Sequence, residues 1–217
     1  MDLALYDLDG TLTRRATYTP FLIFAAGRKA PWRRALLPVW IGAMLVYKLG
    51  LITRGDLKTF GLRLFVPSRD LQTLGELGEA FADGLAAQGG FNPALLAQLE
   101  ADRKAGRTVV IATAAFAFYA TPIARHLGVE EVIGTRWNGR RIDGGNCYGA
   151  EKLRRVENWL EGRGLSLSAG RTRMLTDSFA DRPLMAKVDE AVFVTSRASV
   201  RRRAEKLGWQ AIHPVTG

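Results

Sequence analysis

The sequence Ala4-Leu5-Tyr6-Asp7-Leu8-Asp9-Gly10-Thr11-Leu12-Thr13 sets the architecture of this chain. Its apolar run ends at two aspartates one residue apart, followed by glycine and threonine. A tight turn at Gly10 can bring both carboxylates into one pocket. Two carboxylates beside an apolar strand cost free energy unless a cation or hydrogen bonds compensate them. Because Asp-Gly-Thr is also ordinary turn chemistry, the other strand ends must distinguish a functional site from a surface turn.

The composition is ordinary for a globular protein and is compatible with a reducing compartment. Hydrophobic residues make up 47% of the 217 residues and charged residues 24%, which predicts a substantial core and one domain with an insertion. A single cysteine, Cys147, excludes an intramolecular disulfide framework. Asp2 follows the first methionine directly, so we expect no secretory signal and a cytoplasmic protein.

The net charge of +10 needs a partner or another reason. The excess is densest over residues 11–90, which contain 11 Lys and Arg against 5 Asp and Glu. A basic surface suits phosphorylated substrates, anionic lipid or nucleic acid. Nucleic acid is not expected, because we find no module in which aromatic and basic residues are interleaved on one surface.

Residues 14–90 have helical periodicity, with apolar residues recurring at spacings of three and four. The predicted helices cover about 18–27, 32–50, 54–64 and 69–87. Within the second, residues 35–47 are uncharged, but a helix that spans a membrane needs about 20 apolar residues. Two interpretations stay open: a buried helix, or an interfacial helix with Trp32, Trp40 and Tyr47 at headgroup level.

From residue 91 onward, predicted helices and strands alternate. The predicted strands are 108–112, 131–134, 172–176, 191–195 and a last one near 209–213, and Asn138-Gly139 predicts a hairpin turn. Such alternation predicts an α/β fold: a Rossmann-like, mostly parallel sheet with helices on both faces. The expected domains are residues 1–13 with 91–217 as the α/β core, and 14–90 as a helical insertion after the first strand.

Polar residues follow several predicted strands, and the carboxyl ends of parallel strands meet at one sheet edge. The side chains concerned are Asp7, Asp9, Thr113, Asp177 and Asp181, together with Lys152 in the first turn of a helix. Three or four converging carboxylates repel one another strongly unless a divalent cation lies among them. Their hard oxygen ligands suit magnesium. A lysine and a hydroxyl beside that cation form a receptor for a phosphate dianion.

Four motifs in order resemble the haloacid dehalogenase superfamily, in its phosphoserine-phosphatase-like subclass IB with a helical (C1-type) cap after the first motif. They are Asp7-Leu8-Asp9-Gly10-Thr11, the strand ending in Thr113, the helix-opening Lys152, and the pair Asp177 and Asp181 after an apolar strand. The resemblance covers essentially the whole chain.

The resemblance implies a magnesium-dependent phosphatase that hydrolyses phosphomonoesters through an aspartyl-phosphate. Asp7 is expected to be the nucleophile, and Asp9 the acid that protonates the leaving oxygen and then the base that activates water. The implied Mg²⁺ ligands are Asp7, the backbone carbonyl of Asp9, and Asp177, with Asp181 supporting them. The implied phosphate-binding residues are Thr113, Ala114 and Lys152.

Departures from the phosphoserine phosphatase pattern argue against phosphoserine as the substrate. Ala16 and Ala180 stand where that pattern has glutamate and asparagine. A basic insertion with an apolar helix favours a lipid phosphate such as phosphatidylglycerophosphate, and with it contact with an anionic membrane at its inner face. The alternatives are a phosphatase of a small soluble metabolite, phosphoryl transfer to an acceptor other than water, and a non-catalytic basic membrane-surface protein on the same fold.

Overall fold

A computed structural model describes residues 1–214, so the last three residues of the predicted 91–217 segment lie outside it. Its sheet has seven strands in the order β4-β3-β2-β1-β5-β6-β7, and every neighbouring pair is parallel except β3 with β4. The strands are β1 Leu3–Tyr6, β2 Thr108–Phe116, β3 Glu131–Trp137, β4 Ile142–Asp143, β5 Thr172–Thr176, β6 Glu190–Val194 and β7 Gln210–Ile212. The predicted α/β class and the hairpin at Asn138-Gly139 are confirmed.

Four α-helices lie within residues 14–90: α1 Tyr18–Lys29, α2 Leu37–Lys48, α3 Arg54–Phe65 and α4 Leu71–Ala87. The others are α5 Pro93–Lys104, α6 Ala117–His126, α7 Ala150–Glu161, α8 Arg182–Met185 and α9 Ala198–Glu205. The single helix predicted over 32–50 is wrong in its first third, where Pro31–Leu36 forms a 3₁₀ helix. Proline fits only the first turn of a helix because it lacks a backbone N–H, so α2 begins just before Pro38.

The two faces of the sheet bury two hydrophobic clusters, as the alternation along β1 requires. Leu3 and Leu5 point into the cluster covered by α7, α8 and α9. Ala4 and Tyr6 point into the other, which α1, α2, α3 and α4 share with α5 and α6. Phe21 of α1 stacks on Tyr119 of α6 with ring centroids 4.9 Å apart. The inserted helices are therefore packed directly against the sheet domain.

Helix α2 buries only Trp40, which is 1% exposed. The Trp40 ring packs edge-on against Tyr18 and Phe65, with centroids 5.9 and 6.4 Å away, and its Nε1 donates to Thr19 Oγ1 at 3.2 Å. Placing Trp40 at headgroup level is therefore wrong, and the buried-helix interpretation holds for that face alone. Within residues 1–214, no helix combines the length and apolar character that crossing a membrane requires.

Candidate active site

The turn after β1 is built around Gly10. This residue has a φ of +73°, in the left-handed region that glycine adopts without strain. A Cβ at Gly10 would lie 2.3 Å from Asp177 Oδ2, so any other residue would displace the Asp177 carboxylate. The turn is closed by Thr13 N, which donates to Leu8 O at 2.9 Å. Gly10 thus lets the turn after β1 and the loop after β5 come into contact.

Asp7, Lys152 and Asp181 form a buried charged group. Lys152 Nζ lies 3.2 Å from Asp7 Oδ1 and 2.7 Å from Asp181 Oδ2, and Lys152 is 1% exposed. Thr176 Oγ1 donates to the same Asp181 oxygen at 2.7 Å. Burial by itself would lower the pKa of Lys152, but the two carboxylates outweigh it and raise that pKa. Lys152 is therefore a fixed cation held against the predicted nucleophile.

Asp177 brings a further carboxylate to this edge. Its backbone N donates to Thr11 Oγ1 at 3.0 Å, while its carboxylate forms no hydrogen bond or ion pair with another of the described residues. Loss of solvation and repulsion by three neighbouring carboxylates raise the pKa of Asp177 to about 7. Those neighbours are Asp7, Asp9 and Asp181. One lysine does not compensate this accumulation of negative charge.

Asp9 is held by the start of α1. Its Oδ1 accepts hydrogen bonds from Thr17 N at 2.7 Å and from Thr17 Oγ1 at 2.6 Å. Burial raises the pKa of Asp9, and the Thr17 hydrogen bonds oppose that rise. A raised pKa suits a carboxyl group that donates a proton. Sequence reasoning missed Thr17, because nothing in its local pattern shows that α1 begins beside Asp9.

The structure places Thr113 and Ala114 inside β2, which continues past its predicted end at 112. The register of β2 with β3 shifts between Ala112 and Phe116, and Thr113 Oγ1 accepts from Ala115 N at 3.0 Å within this irregularity. Within residues 1–214, no hydrogen bond joins Thr113 or Ala114 to the buried charged group of Asp7, Lys152 and Asp181. Their position follows from the β1–β2 register, whose last pair is Tyr6 with Ile111.

Lys58 is a candidate functional residue that the sequence did not reveal. It lies on α3, is 5% exposed, and donates from Nζ to Ala114 O at 2.6 Å and to Asn146 Oδ1 at 2.8 Å. Burial and the neighbouring Arg54 lower the pKa of Lys58 to about 7, against the attraction of Asp9. These contacts join residues 56 and 88 positions apart, a separation that periodicity cannot detect.

A cavity of about 280 Å³ lies between Asp9 and the inserted helices. Its basic lining residues are Lys48, Arg54 and Lys58, and its aromatic ones are Tyr18, Trp40, Tyr47 and Tyr119. The cavity therefore combines cationic groups with an apolar wall next to the predicted acid.

The oxygen atoms at this edge fit a magnesium site. Asp7 and Asp177 offer carboxylates and Asp9 a backbone carbonyl, the hard oxygen donors that Mg²⁺ prefers. The unpartnered Asp177 carboxylate and the excess negative charge are the features that a divalent cation would offset. Across residues 1–214, no cluster of three or more His, Cys, Asp or Glu side chains could bind a metal. The candidate set differs from such a cluster, since one of its three donors is a backbone oxygen.

The chain is similar in sequence to one protein family and to several individual proteins. The model of the haloacid dehalogenase-like hydrolase family matches residues 4–186. Protein CicA of Caulobacter vibrioides is 30% identical over 195 residues, which cover 87% of this chain and 83% of that protein. Phosphoserine phosphatase SerB1 of Mycobacterium tuberculosis is 28% identical, over 95% of this chain and 69% of that protein. Histidinol-phosphatase of Neisseria meningitidis is 30% identical, over 53% and 55% respectively.

Solved structures share the fold. A protein of unknown function from Bordetella pertussis Tohama I has a TM-score of 0.82 and 28% identity, covering 97% of each chain. A substrate-bound phosphoserine phosphatase has a TM-score of 0.63 over 97% of this chain and 91% of its own. At 13% identity, that second likeness shows a common fold.

Proposed function

The chain belongs to the haloacid dehalogenase-like hydrolase family, as a hydrolase of phosphoric monoesters, and we propose that it cleaves them through an aspartyl-phosphate at Asp7. One observation carries this proposal: the buried Lys152 ammonium lies 3.2 Å from Asp7 Oδ1 and is shared with Asp181. Leu8 N also donates to Asp7 Oδ1 at 2.9 Å. A carboxylate fixed in this way is oriented for in-line attack on phosphorus.

Asp9 is proposed to move the proton in both halves of the reaction. When the Asp7–phosphorus bond forms, the ester P–O bond breaks and protonated Asp9 gives its proton to the leaving oxygen. Asp9, now ionised, takes a proton from the water that attacks the aspartyl-phosphate, which releases phosphate and restores Asp7. Two hydrogen bonds from Thr17 hold Oδ1 throughout, so that the carboxyl group stays in place.

We assign the transferring phosphoryl oxygens to Lys152, Thr113 and the backbone at Ala114. Lys152 supplies a full positive charge in a water-excluded position, where charge stabilisation is strongest. Asp181 acts as a positioning residue, because its Oδ2 holds both Lys152 Nζ and Thr176 Oγ1 at 2.7 Å.

Mg²⁺ is the proposed cofactor, with Asp7, Asp177 and the Asp9 carbonyl as the residues that would hold it. When bound, the cation offsets the repulsion between the Asp7 carboxylate and the phosphate. Gly10 is needed for this arrangement, since a side chain there would displace the Asp177 carboxylate.

The proposed substrate class is an amphiphilic phosphomonoester, a lipid phosphate such as phosphatidylglycerophosphate, met at the surface of an anionic membrane. The cavity beside Asp9 supports this class because it joins three basic side chains to a wall of aromatic ones. In this proposal residues 14–90 act as the cap that selects the substrate, over a core formed by 1–13 and 91–217. A small soluble phosphomonoester is the second candidate, which the names of two relatives favour.

The test combines a substrate panel with two matched variants. The purified protein should hydrolyse p-nitrophenyl phosphate with Mg²⁺ and lose this activity in EDTA. Asp7→Asn should remove turnover and the acid-stable phosphoenzyme, whereas Asp83→Asn, on the exposed face of α4, should retain both. Wild-type turnover in Asp7→Asn would refute the mechanism.

The same panel decides the substrate class. Phosphatidylglycerophosphate and lysophosphatidate should be hydrolysed more efficiently than phosphoserine and histidinol phosphate. Efficient turnover of the soluble esters, with the lipid phosphates left intact, would refute the lipid assignment and keep the phosphatase.

A further inference from the structure

The outer face of α2 and its flanking turns expose an unusual concentration of apolar side chains. Of the eleven large hydrophobic residues that are exposed among residues 1–214, seven fall between positions 32 and 51. We call them the α2 patch: Trp32, Val39, Ile41, Leu45, Val46, Leu49 and Leu51. Their exposed fractions run from 37% to 73%. A contiguous apolar face of this kind marks an interaction surface.

The surroundings of the α2 patch are strongly basic. Residues 10–55 contain eight Lys and Arg and no Asp or Glu. Arg28, Lys29, Arg34 and Lys48 are exposed, and none of them forms an ion pair with any residue in the described range 1–214. Arg33 lies over the ring of Trp32, with its guanidinium carbon 5.3 Å from the centroid. The α2 patch is therefore an apolar strip with an uncompensated cationic rim.

We propose that the α2 patch docks on the surface of an anionic lipid bilayer. Apolar side chains would enter the boundary between headgroups and acyl chains, while the rim would contact lipid phosphates. A second copy of the chain fits this surface poorly. A two-fold contact places the same patch on both partners, so the two basic rims would meet and repel.

The opposite face of α2 connects this surface to the site. Met44 and Tyr47 line the cavity beside Asp9, and Trp40 anchors the helix against α1 and α3. A helix with its side chains is about 10 Å across. The docked bilayer surface and the cavity would therefore lie on opposite sides of α2, separated by about the width of one helix. Delivery of a lipid substrate from the bilayer to the cavity rests on the proposed function. The docking surface itself rests on the exposure of the α2 patch and the charge around it.

Vesicle flotation tests the docking. Wild-type protein should float with vesicles of phosphatidylglycerol and phosphatidylcholine, less with phosphatidylcholine alone, and less as NaCl rises, since salt screens the basic rim. The variant Val39→Ser/Leu45→Ser/Leu49→Ser should lower the partition coefficient about a hundredfold, because each side chain is half to three-quarters exposed and burying that exposed part shifts such an equilibrium about fivefold. The control Leu71→Ser/Leu207→Ser removes exposed leucines outside the α2 patch and should float like the wild type.

The outcomes separate docking from catalysis. Asp7→Asn should float like the wild type, and the patch variant should hydrolyse p-nitrophenyl phosphate at the wild-type rate. If the wild-type protein hydrolyses p-nitrophenyl phosphate but does not float with vesicles, the docking is overturned and the phosphatase stands. If it floats but hydrolyses nothing, the phosphatase is overturned and the docking stands. A patch variant that floats normally overturns the proposal. A wild-type dimer in light scattering that becomes a monomer in the patch variant, without vesicle binding, assigns the surface to a second copy.

Discussion

Replacing Asp9 by asparagine removes a titratable group while keeping the contacts that hold it. The asparagine Oδ1 can accept the same hydrogen bonds from Thr17 N and Oγ1, which are 2.7 and 2.6 Å long to Asp9. Hydrogen bonds to a charged acceptor are each stronger than those to a neutral one by roughly 1 kcal/mol, so weakening both should cost the variant at most about 2 kcal/mol of stability. Asp9→Asn therefore isolates proton transfer from folding.

The expected loss of activity depends on the leaving group. General acid and base catalysis contributes about 10²- to 10⁴-fold. This factor corresponds to about 2.7 to 5.4 kcal/mol of barrier height. An alkyl phosphate needs a proton on its leaving oxygen, so Asp9→Asn should slow its hydrolysis by the full factor. The p-nitrophenolate ion leaves without a proton, so Asp7 should still be phosphorylated, while the absence of a base slows hydrolysis of the intermediate.

Rapid-mixing kinetics with p-nitrophenyl phosphate provide the assay. Asp9→Asn should release a stoichiometric burst of p-nitrophenolate followed by a slow steady state, and acid quench should trap the phosphoenzyme. Asp83→Asn serves as the matched control and should show wild-type kinetics. Wild-type rates on alkyl phosphates, or an equal loss on both substrates without a burst, would refute the assignment of Asp9 as acid and base.

Three further predictions concern the supporting residues. Lys152→Met should abolish turnover and cost about 3 kcal/mol or more in the free energy of unfolding, measured in urea, because it leaves Asp7 and Asp181 buried without their cation. Gly10→Ala should lower the free energy of unfolding by about 1 to 2 kcal/mol, because alanine is strained in the left-handed backbone conformation. It should also raise the Mg²⁺ concentration needed for half-maximal activity, because the added Cβ displaces Asp177. An unchanged Mg²⁺ dependence would contradict this role of Gly10. Asp102→Asn should lower the free energy of unfolding by about 3 kcal/mol, because the buried Asp102 pairs with Arg107 at 3.1 Å and with Arg173 at 2.8 Å. The kcat of the folded protein should stay at the wild-type value.

Local patterns in the chain were enough for the sheet and for most of the charged group. Continuous apolar runs identified β1 and β2, and Asn138-Gly139 identified the hairpin, because strand burial and turn chemistry are properties of neighbouring residues. Parallel strands bring their carboxyl ends to one edge, so the convergence of Asp7, Asp177 and Asp181 was predictable from their positions after strands. Lys152 was predicted from its position in the first turn of a helix, and the family motif supported it.

The environment of each group came from the tertiary structure alone. Lys58 reaches Ala114 across 56 residues, and Thr17 holds Asp9 because α1 happens to begin there. The uncharged segment 35–47 had two open interpretations, since hydropathy does not tell which face of a helix finds a partner. The structure buries Trp40 and leaves Val39, Leu45 and Leu49 outside. Composition along the chain thus specifies what must be buried or compensated, and three-dimensional packing decides which groups supply the partner.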